Sequence, residues 1–438
     1  MKLAVVVQRY GADINGGAEL HARYIAQRLA RRVSVDVLTT CARDYVTWKN
    51  DLPAGEQQVN GVRVLRFPVD RERHPHEFGR RSVRVFERTH SIQDELDWLD
   101  SEGPTSTALV RHAARHAAAY DYFLLFSYRY YHAFHVARRV ASKAVLVPTA
   151  ERDAAIGVSI FAPVFRGVRG LMYNSPEEHA MIRAVSQNDS VPGVVVGVGS
   201  DVPDRADGAR FRRKFNVRRP FAIYIGRIDE NKGCGELFSH FQRYSAAFPR
   251  GLDLVLVGHP IIEVPKHPRI RHLGFLDDAD KFDALAAADL LIMPSYYESL
   301  SMVALEAWGL GRPVLANGRC DVLKGQCIRS NAGLYYESYE EFVEGLYSLE
   351  SNGPLNARLG RNGREFFNRH YAWPVIERKY LDMFERLSRA EPPDAMAPLP
   401  SWLARRTRDV PPAADVLARV PSGPALTPRA ADACGRSA

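Results

Sequence analysis

Cysteine is scarce in this 438-residue chain: Cys41, Cys234, Cys320, Cys327 and Cys434 are odd in number and scattered. No pair has the close spacing of a zinc or redox site, which excludes a disulfide framework and makes a reducing, cytosolic compartment the expectation. Long apolar runs are missing too. Nothing approaches the ~18 uninterrupted apolar residues of a membrane span, and the run at 3–7 is too short for a signal-peptide core. No export is expected, and any membrane contact would be peripheral. A strong charge bias is absent: 59 Lys+Arg against 51 Asp+Glu leave +8. That excess suits anionic partners such as nucleotides, phosphorylated lipids or a membrane surface without singling one out, and no nucleic acid is expected. Two phosphate motifs are also lacking. Gly11 to Gly16 has Walker-like spacing, but Gly17 and Ala18 stand where Lys and Ser/Thr are required, which rejects a P-loop. No Gly-x-Gly-x-x-Gly follows either first strand, which disfavours a nicotinamide dehydrogenase.

What is present is a globular composition, 46% hydrophobic and 25% charged, over a length that predicts two or three domains. Short apolar runs at 3–7, 33–38, 62–67, 122–126, 144–147, 170–173 and 194–198 read as strands, mostly separated by helical stretches. The first helical stripe runs through Ala18, Ala22, Ile25 and Leu29. Such alternation means a parallel sheet covered on both faces. Residues 200–220 lack an apolar pattern and read as a linker, after which strands recur at 221–225, 252–257, 290–293 and 313–316, with helices at 235–248 and 300–308. The expected organisation is a first domain at 1–199, the linker, a second domain at 221–372, and a helix at 373–390 packing back on the first domain. Residues 391–438, with nine prolines and eleven alanines, form a tail expected to be disordered.

The chemistry concentrates in the second half. After the strand at 290–293 comes Pro294-Ser295-Tyr296-Tyr297-Glu298-Ser299-Leu300-Ser301-Met302-Val303-Ala304-Leu305-Glu306-Ala307-Trp308. Glu298 falls beyond the carboxyl end of a parallel strand, where open α/β sheets bind ligands. Glu306 lies among apolar residues, where an unpaired carboxylate costs roughly 1–3 kcal/mol. Ribose hydroxyls would supply donors to it, and amides at 300–303 would open a helix suited to phosphate. The competing reading is a solvated loop glutamate and a salt-bridged helix glutamate.

At the carboxyl end of the first strand of the same half stands Gly226-Arg227-Ile228-Asp229-Glu230-Asn231-Lys232-Gly233. Arg227 and Lys232 are two cations at one sheet edge, suited to neutralising a departing diphosphate. Pairing of Arg227 with Asp229 or Glu230 is the alternative. In the first half, Gly16-Gly17 sits between a strand and a helix, either as an anion-binding turn or as a tight connection.

Over residues 1–388 these motifs resemble the retaining glycosyltransferases of family four, of GT-B fold: two Rossmann-like doubly wound α/β domains facing across a cleft. The resemblance implies transfer of a hexose from a UDP- or GDP-linked sugar to a glycan or lipid-linked acceptor with retention, in cell-surface polysaccharide or glycolipid synthesis. It implies that Arg227 and Lys232 hold the donor diphosphate, Glu306 the ribose, and Glu298 the transferred sugar. Gly16, Gly17, Gly226, Ser299, Leu300, Ser301 and Met302 would complete the donor site. The donor is a substrate, and neither cofactor nor metal is expected. Where the family has Gly and then Phe-Gly after the first glutamate, this chain has Ser299-Leu300-Ser301, and Ser299 also suits a helix N-cap.

Where family members often carry a His followed by an acidic residue, this chain reads Thr149-Ala150-Glu151-Arg152-Asp153, so sugar-facing contact from the first half either falls to Glu151 or Asp153 or is missing. Tyr128, Tyr130 and Tyr131 follow a strand and either stack on an acceptor sugar or pack internally. The histidine pairs 112/116 and 132/135 lack a third ligand and read as packing. The arginines from Arg71 to Arg88, and a patch around Trp402, would face phosphorylated lipid or simply solvent. The Glu151 substitution also leaves open a sugar-nucleotide-binding protein without transfer activity, and a GT-B epimerase is a further alternative.

Overall fold

The computed structural model describes residues 1–14, 16–393, 395–399 and 413–420. Its strands form two sheets. The first holds β1 (Lys2–Val6), β2 (Ser34–Thr40), β3 (Gly55–Val59), β4 (Val62–Phe67), β5 (Tyr122–Phe126), β6 (Ala144–Val147), β7 (Gly170–Tyr173) and β8 (Gly193–Val195), in the order β3-β4-β2-β1-β5-β6-β7-β8. All its neighbours pair parallel except β3, which runs antiparallel along β4 at the edge. The second sheet, entirely parallel, holds β9 (Phe221–Ile225), β10 (Asp253–Val257), β11 (Ile270–His272), β12 (Leu290–Met293), β13 (Val314–Asn317) and β14 (Gly333–Tyr336), in the order β11-β10-β9-β12-β13-β14.

Central strands such as β5, β9 and β12 are buried along their whole length, which is why uninterrupted apolar runs mark them: helices cover both faces. The helix Gly17–Leu29 buries Ala22, Ile25, Ala26 and Leu29 against the first sheet, as its stripe predicts. Two Rossmann-like units result, the GT-B arrangement.

The connecting segment 200–220 is not bare chain. It contains the helix Gly208–Lys214, whose Phe211 is buried and whose Lys214 reaches Asp280 of the second half at 2.5 Å. The helix Trp373–Arg389 returns to the first unit. Its Tyr380 hydroxyl lies 3.2 Å from His21 Nε2, Phe384 stacks on Tyr122 at 5.2 Å between centroids, and Glu377 pairs with Arg32 at 3.1 Å. Burial without a compensating charge pushes the His21 imidazole down to about 3. The start of the expected disordered tail also lies on the fold: Arg169 donates to the carbonyls of Leu387, Ala390 and Glu391, and Met396 is buried against Gly167. The basic patch around Trp402 falls outside the described residues.

The returning helix has a measurable hold. Phe384→Ala removes a buried ring and leaves a cavity, so it should lower stability by about 3–5 kcal/mol in urea unfolding. A loss below ~1 kcal/mol would show that the helix does not clamp the first unit.

Candidate active site

The carboxyl edges of the two sheets face each other. Loops after β6 and β7 meet loops after β9, β12 and β13: Arg152 pairs with Asp321 at 2.8 Å, and Asn174 Nδ2 donates to Ser299 Oγ at 3.3 Å.

On the second-half side, two loops are locked to one another. Gly233 has φ +69°, and a Cβ there would stand 2.1 Å from the Pro294 carbonyl oxygen, so only glycine lets the loop after β9 pack onto the loop after β12. Tyr296 N–H donates to the Asn231 carbonyl at 3.3 Å, and Asn317 Nδ2 holds the Pro294 carbonyl at 3.0 Å. The consequence is a fixed ion pair, Lys232 Nζ to Glu298 Oε1 at 2.7 Å. Burial works to discharge Lys232, but the Glu298 and Glu151 carboxylates prevail and raise its pKa above the usual lysine range.

Arg227, half exposed, pairs through Nε with Asp229, whose other oxygen accepts the Lys232 N–H at 2.8 Å. The pairing weighed from the sequence is therefore formed, on the same loop that presents Lys232. Gly226, at φ +156°, sits directly above the Tyr224 hydroxyl.

Glu306, only 3% exposed, lies in the helix Met302–Gly309. Its Oε1 accepts from Ser200 Oγ at 2.9 Å and from Lys281 Nζ at 3.1 Å, while Oε2 is buried with no hydrogen-bond partner among the described residues. Leaving such an oxygen unmatched costs ~1–3 kcal/mol, so the position favours an incoming donor group. Burial lowers the Lys281 pKa, and Glu306 and Asp278 more than reverse that.

The helix begins later than expected. Ser301, not Ser299, is its N-cap, with the hydroxyl accepting from Ala304 N–H at 3.2 Å; Leu300 is buried in the core, and Ser299 and Met302 are partly exposed.

From the first half, the loop after β6 carries Glu151. Ser127 and Thr149 both adopt left-handed backbone, at φ +65° and +49°, and their hydroxyls bond at 2.8 Å. For residues with a Cβ that conformation is costly and needs surrounding support. The buried Glu178 carboxylate provides some by accepting the N–H groups of Ala150 and Asn174, each at 2.5 Å. Asp153 spends its carboxylate on Arg129 at 2.6 Å and the Ala155 N–H at 3.1 Å, and so braces the loop. Burial pushes the Glu151 carboxyl up to about 7; Lys232 opposes the shift, while Glu298 and Asp153 add to it.

Tyr128 is a correction. It is 2% exposed, packed edge-on to Phe161 and against Phe165, so it belongs to the core and is closed to an acceptor; Tyr130 and Tyr131 are buried as well. Following a strand fixes a residue's place on the edge but not the direction of its side chain. Arg73 is likewise buried, paired with Glu102 at 3.3 Å, instead of facing lipid.

At the Gly16-Gly17 turn, the Glu19 carboxylate occupies the space where a Gly16 Cβ would stand and pairs with Arg9 at 2.6 Å, whereas the space beside Gly17 is open. Ser200, Lys281 and Asn174 were not singled out from the sequence and carried no local signal; Asp229, weighed there only as a partner for Arg227, also accepts the Lys232 N–H. Among the described residues no group of three or more His, Cys, Asp or Glu is placed to hold a metal ion, and no helix is long and apolar enough to cross a membrane.

Residues 207–366 match the family model described as Glycosyl transferases group 1. The match runs from the crossing segment through most of the second half of the chain. The chain is 24% identical over 350 residues to a glycogen synthase of Mycobacterium tuberculosis, across 72% of this chain and 78% of the relative. An uncharacterized glycosyltransferase of Methanocaldococcus jannaschii is 23% identical over 88% of this chain and 98% of its own. In fold the chain is similar to sucrose-phosphate synthase from Thermosynechococcus elongatus, with TM-score 0.64 at 17% identity over 88% of this chain and 99% of that one. It is also similar to Anabaena HepE, solved with UDP-glucose, with TM-score 0.64 at 17% identity over 89% and 100%.

The raised Glu151 pKa has a sign that can be checked. Between its ordinary value of 4.5 and about 7 the folded protein holds a proton the unfolded chain has released, so this group's contribution to stability declines as pH rises through that window. Glu151→Gln should remove the decline: the melting temperature of the variant relative to wild type should climb from about pH 4.5 to 7 and stay level above it. A difference that does not change with pH would show that Glu151 titrates like an exposed carboxylate.

Proposed function

We propose that this glycosyl transferase moves a hexose from a UDP- or GDP-linked sugar to a glycan or lipid-linked acceptor with retention of anomeric configuration, as in cell-surface polysaccharide or glycolipid synthesis. The observation that carries the reading is Lys232, a partly buried ammonium that pairs with Glu298 and feels Glu151 across facing sheet edges. The relatives, among them a glycogen synthase and a lipopolysaccharide core glycosyltransferase, support the substrate class.

In this reading the second half holds the donor. Glu306 takes the ribose, Arg227 and Lys232 the diphosphate, and Glu298 the hydroxyls of the sugar, with Gly17 at the open helix start near the phosphates. The bond from the anomeric carbon to the phosphate oxygen breaks with its electron pair leaving on the diphosphate, and the sugar becomes oxocarbenium-like. Arg227 and Lys232 stabilise the charge that develops. The acceptor oxygen bonds to the anomeric carbon on the face the phosphate leaves, and its proton passes to the departing phosphate. Glu151 faces the sugar from the first half. Contact with the cytoplasmic membrane surface, where a lipid-linked acceptor would reside, belongs to the same proposal.

Melting temperatures with UDP, GDP and ADP identify the base, since a bound nucleotide stabilises by mass action. With the matching sugar nucleotide and an acceptor, Lys232→Ala should cut turnover by one to two orders of magnitude or more, because a charge-assisted contact is worth ~1.5–3 kcal/mol. Normal turnover in that variant would overturn the assignment. Donor binding by the wild type without product in any acceptor screen would favour the non-transferring reading, which the Glu151 substitution keeps in view.

A further inference from the structure

We propose that Ser200 and Lys281 are positioning residues that make this site demand a ribonucleotide, by fixing Glu306 so that one carboxylate oxygen alone is left for the ribose hydroxyls. The inference rests on the reading of Glu306 as the ribose contact and goes beyond it in naming what aims that carboxylate.

The geometry is specific. Oε1 of Glu306 has two donors, Ser200 Oγ at 2.9 Å and Lys281 Nζ at 3.1 Å, which engage both of its lone pairs. Lys281 is held in turn by Asp278 Oδ1 at 3.0 Å. Rotating the carboxyl group would break both contacts, so Oε2 keeps one direction and stays buried without a donor among the described residues. A preset acceptor of this kind rewards an incoming hydroxyl and penalises an analogue that lacks one, because the unmatched oxygen then stays unmatched.

The two clamping residues come from different places. Lys281 is on the helix Asp278–Ala287 of the second half, while Ser200 belongs to the segment that crosses from the first half to the second. Ribose selection therefore depends on where the crossing segment sits, and a shift between the two halves would slacken Glu306. Glu306 by itself could accept ribose hydroxyls on either oxygen; the clamp is what restricts them to one.

The test compares affinities, by calorimetry, of UDP, 2′-deoxy-UDP and 3′-deoxy-UDP, or of the guanosine set if GDP is the diphosphate that raises the melting temperature. Wild type should prefer the ribonucleotide over at least one deoxy analogue by about tenfold or more. Lys281→Met and Ser200→Ala should each weaken ribonucleotide binding by about tenfold while leaving the deoxy analogue nearly unchanged, so that the preference collapses. Ser200→Thr, which keeps the hydroxyl, should restore it. A purely structural role would instead weaken all three nucleotides in parallel. Because the two positions lie on separate elements, misfolding of one variant leaves the other as the readout.

If both variants keep the wild-type preference while Glu306→Gln loses it, the clamp is wrong and the ribose assignment stands. If Glu306→Gln also keeps the preference, the ribose assignment fails, and the clamp fails with it.

Discussion

Two carboxylates and one ammonium, Glu298, Glu151 and Lys232, share the space between facing sheet edges, and the site depends on their balance. Without Lys232 the two acids would repel each other across the cleft, and burial would add to the cost of their charges. With it, the cation stays charged and in place through Glu298. Under the proposed reading the diphosphate arrives as a competing anion and shares a cation already in position. A preset charge of this kind costs little reorganisation when negative charge develops on the leaving group.

Backbone geometry supports that balance from both sides. The loop bearing Lys232 can touch the loop bearing Glu298 only because Gly233 has no side chain to strike Pro294. Opposite them, Glu151 follows the left-handed Thr149, whose hydroxyl bonds that of Ser127, left-handed in the neighbouring loop, and the Ala150 N–H is held by Glu178. Glu178 is itself only 1% exposed, and that burial pushes its carboxyl up to about 8.

The alternating pattern of strands and helices was legible because parallel strands are buried on both faces and appear as unbroken apolar runs. The runs at 122–126, 221–225 and 290–293 coincide with β5, β9 and β12. The polar edge strand β3, with Glu56, Gln57 and Gln58, had no such signal; at the two edges of the second sheet, β11 has a single apolar position in three residues and β14 is only partly buried. In the site, Lys232, Glu298 and Glu306 were visible as charges in a confined context. Tyr128 misled, since periodicity does not reveal which way a loop side chain turns. Ser200 and Lys281 were invisible because their meaning comes from a carboxylate 106 and 25 positions away. The late start of the helix at Met302 was hidden by two serines, each a suitable cap, of which only Ser301 caps it.

The polypeptide passes between the halves twice, and the two passages lie side by side. Gly199 abuts the Trp373 ring and Gly197 abuts Tyr371, so the outgoing and returning chains are packed into one seam, with the Arg28 guanidinium 4.7 Å from the Trp373 ring centre. A single tether would let one lobe swivel freely about the other. Two crossings packed in one seam restrain that swivel and leave the seam as the pivot between the lobes.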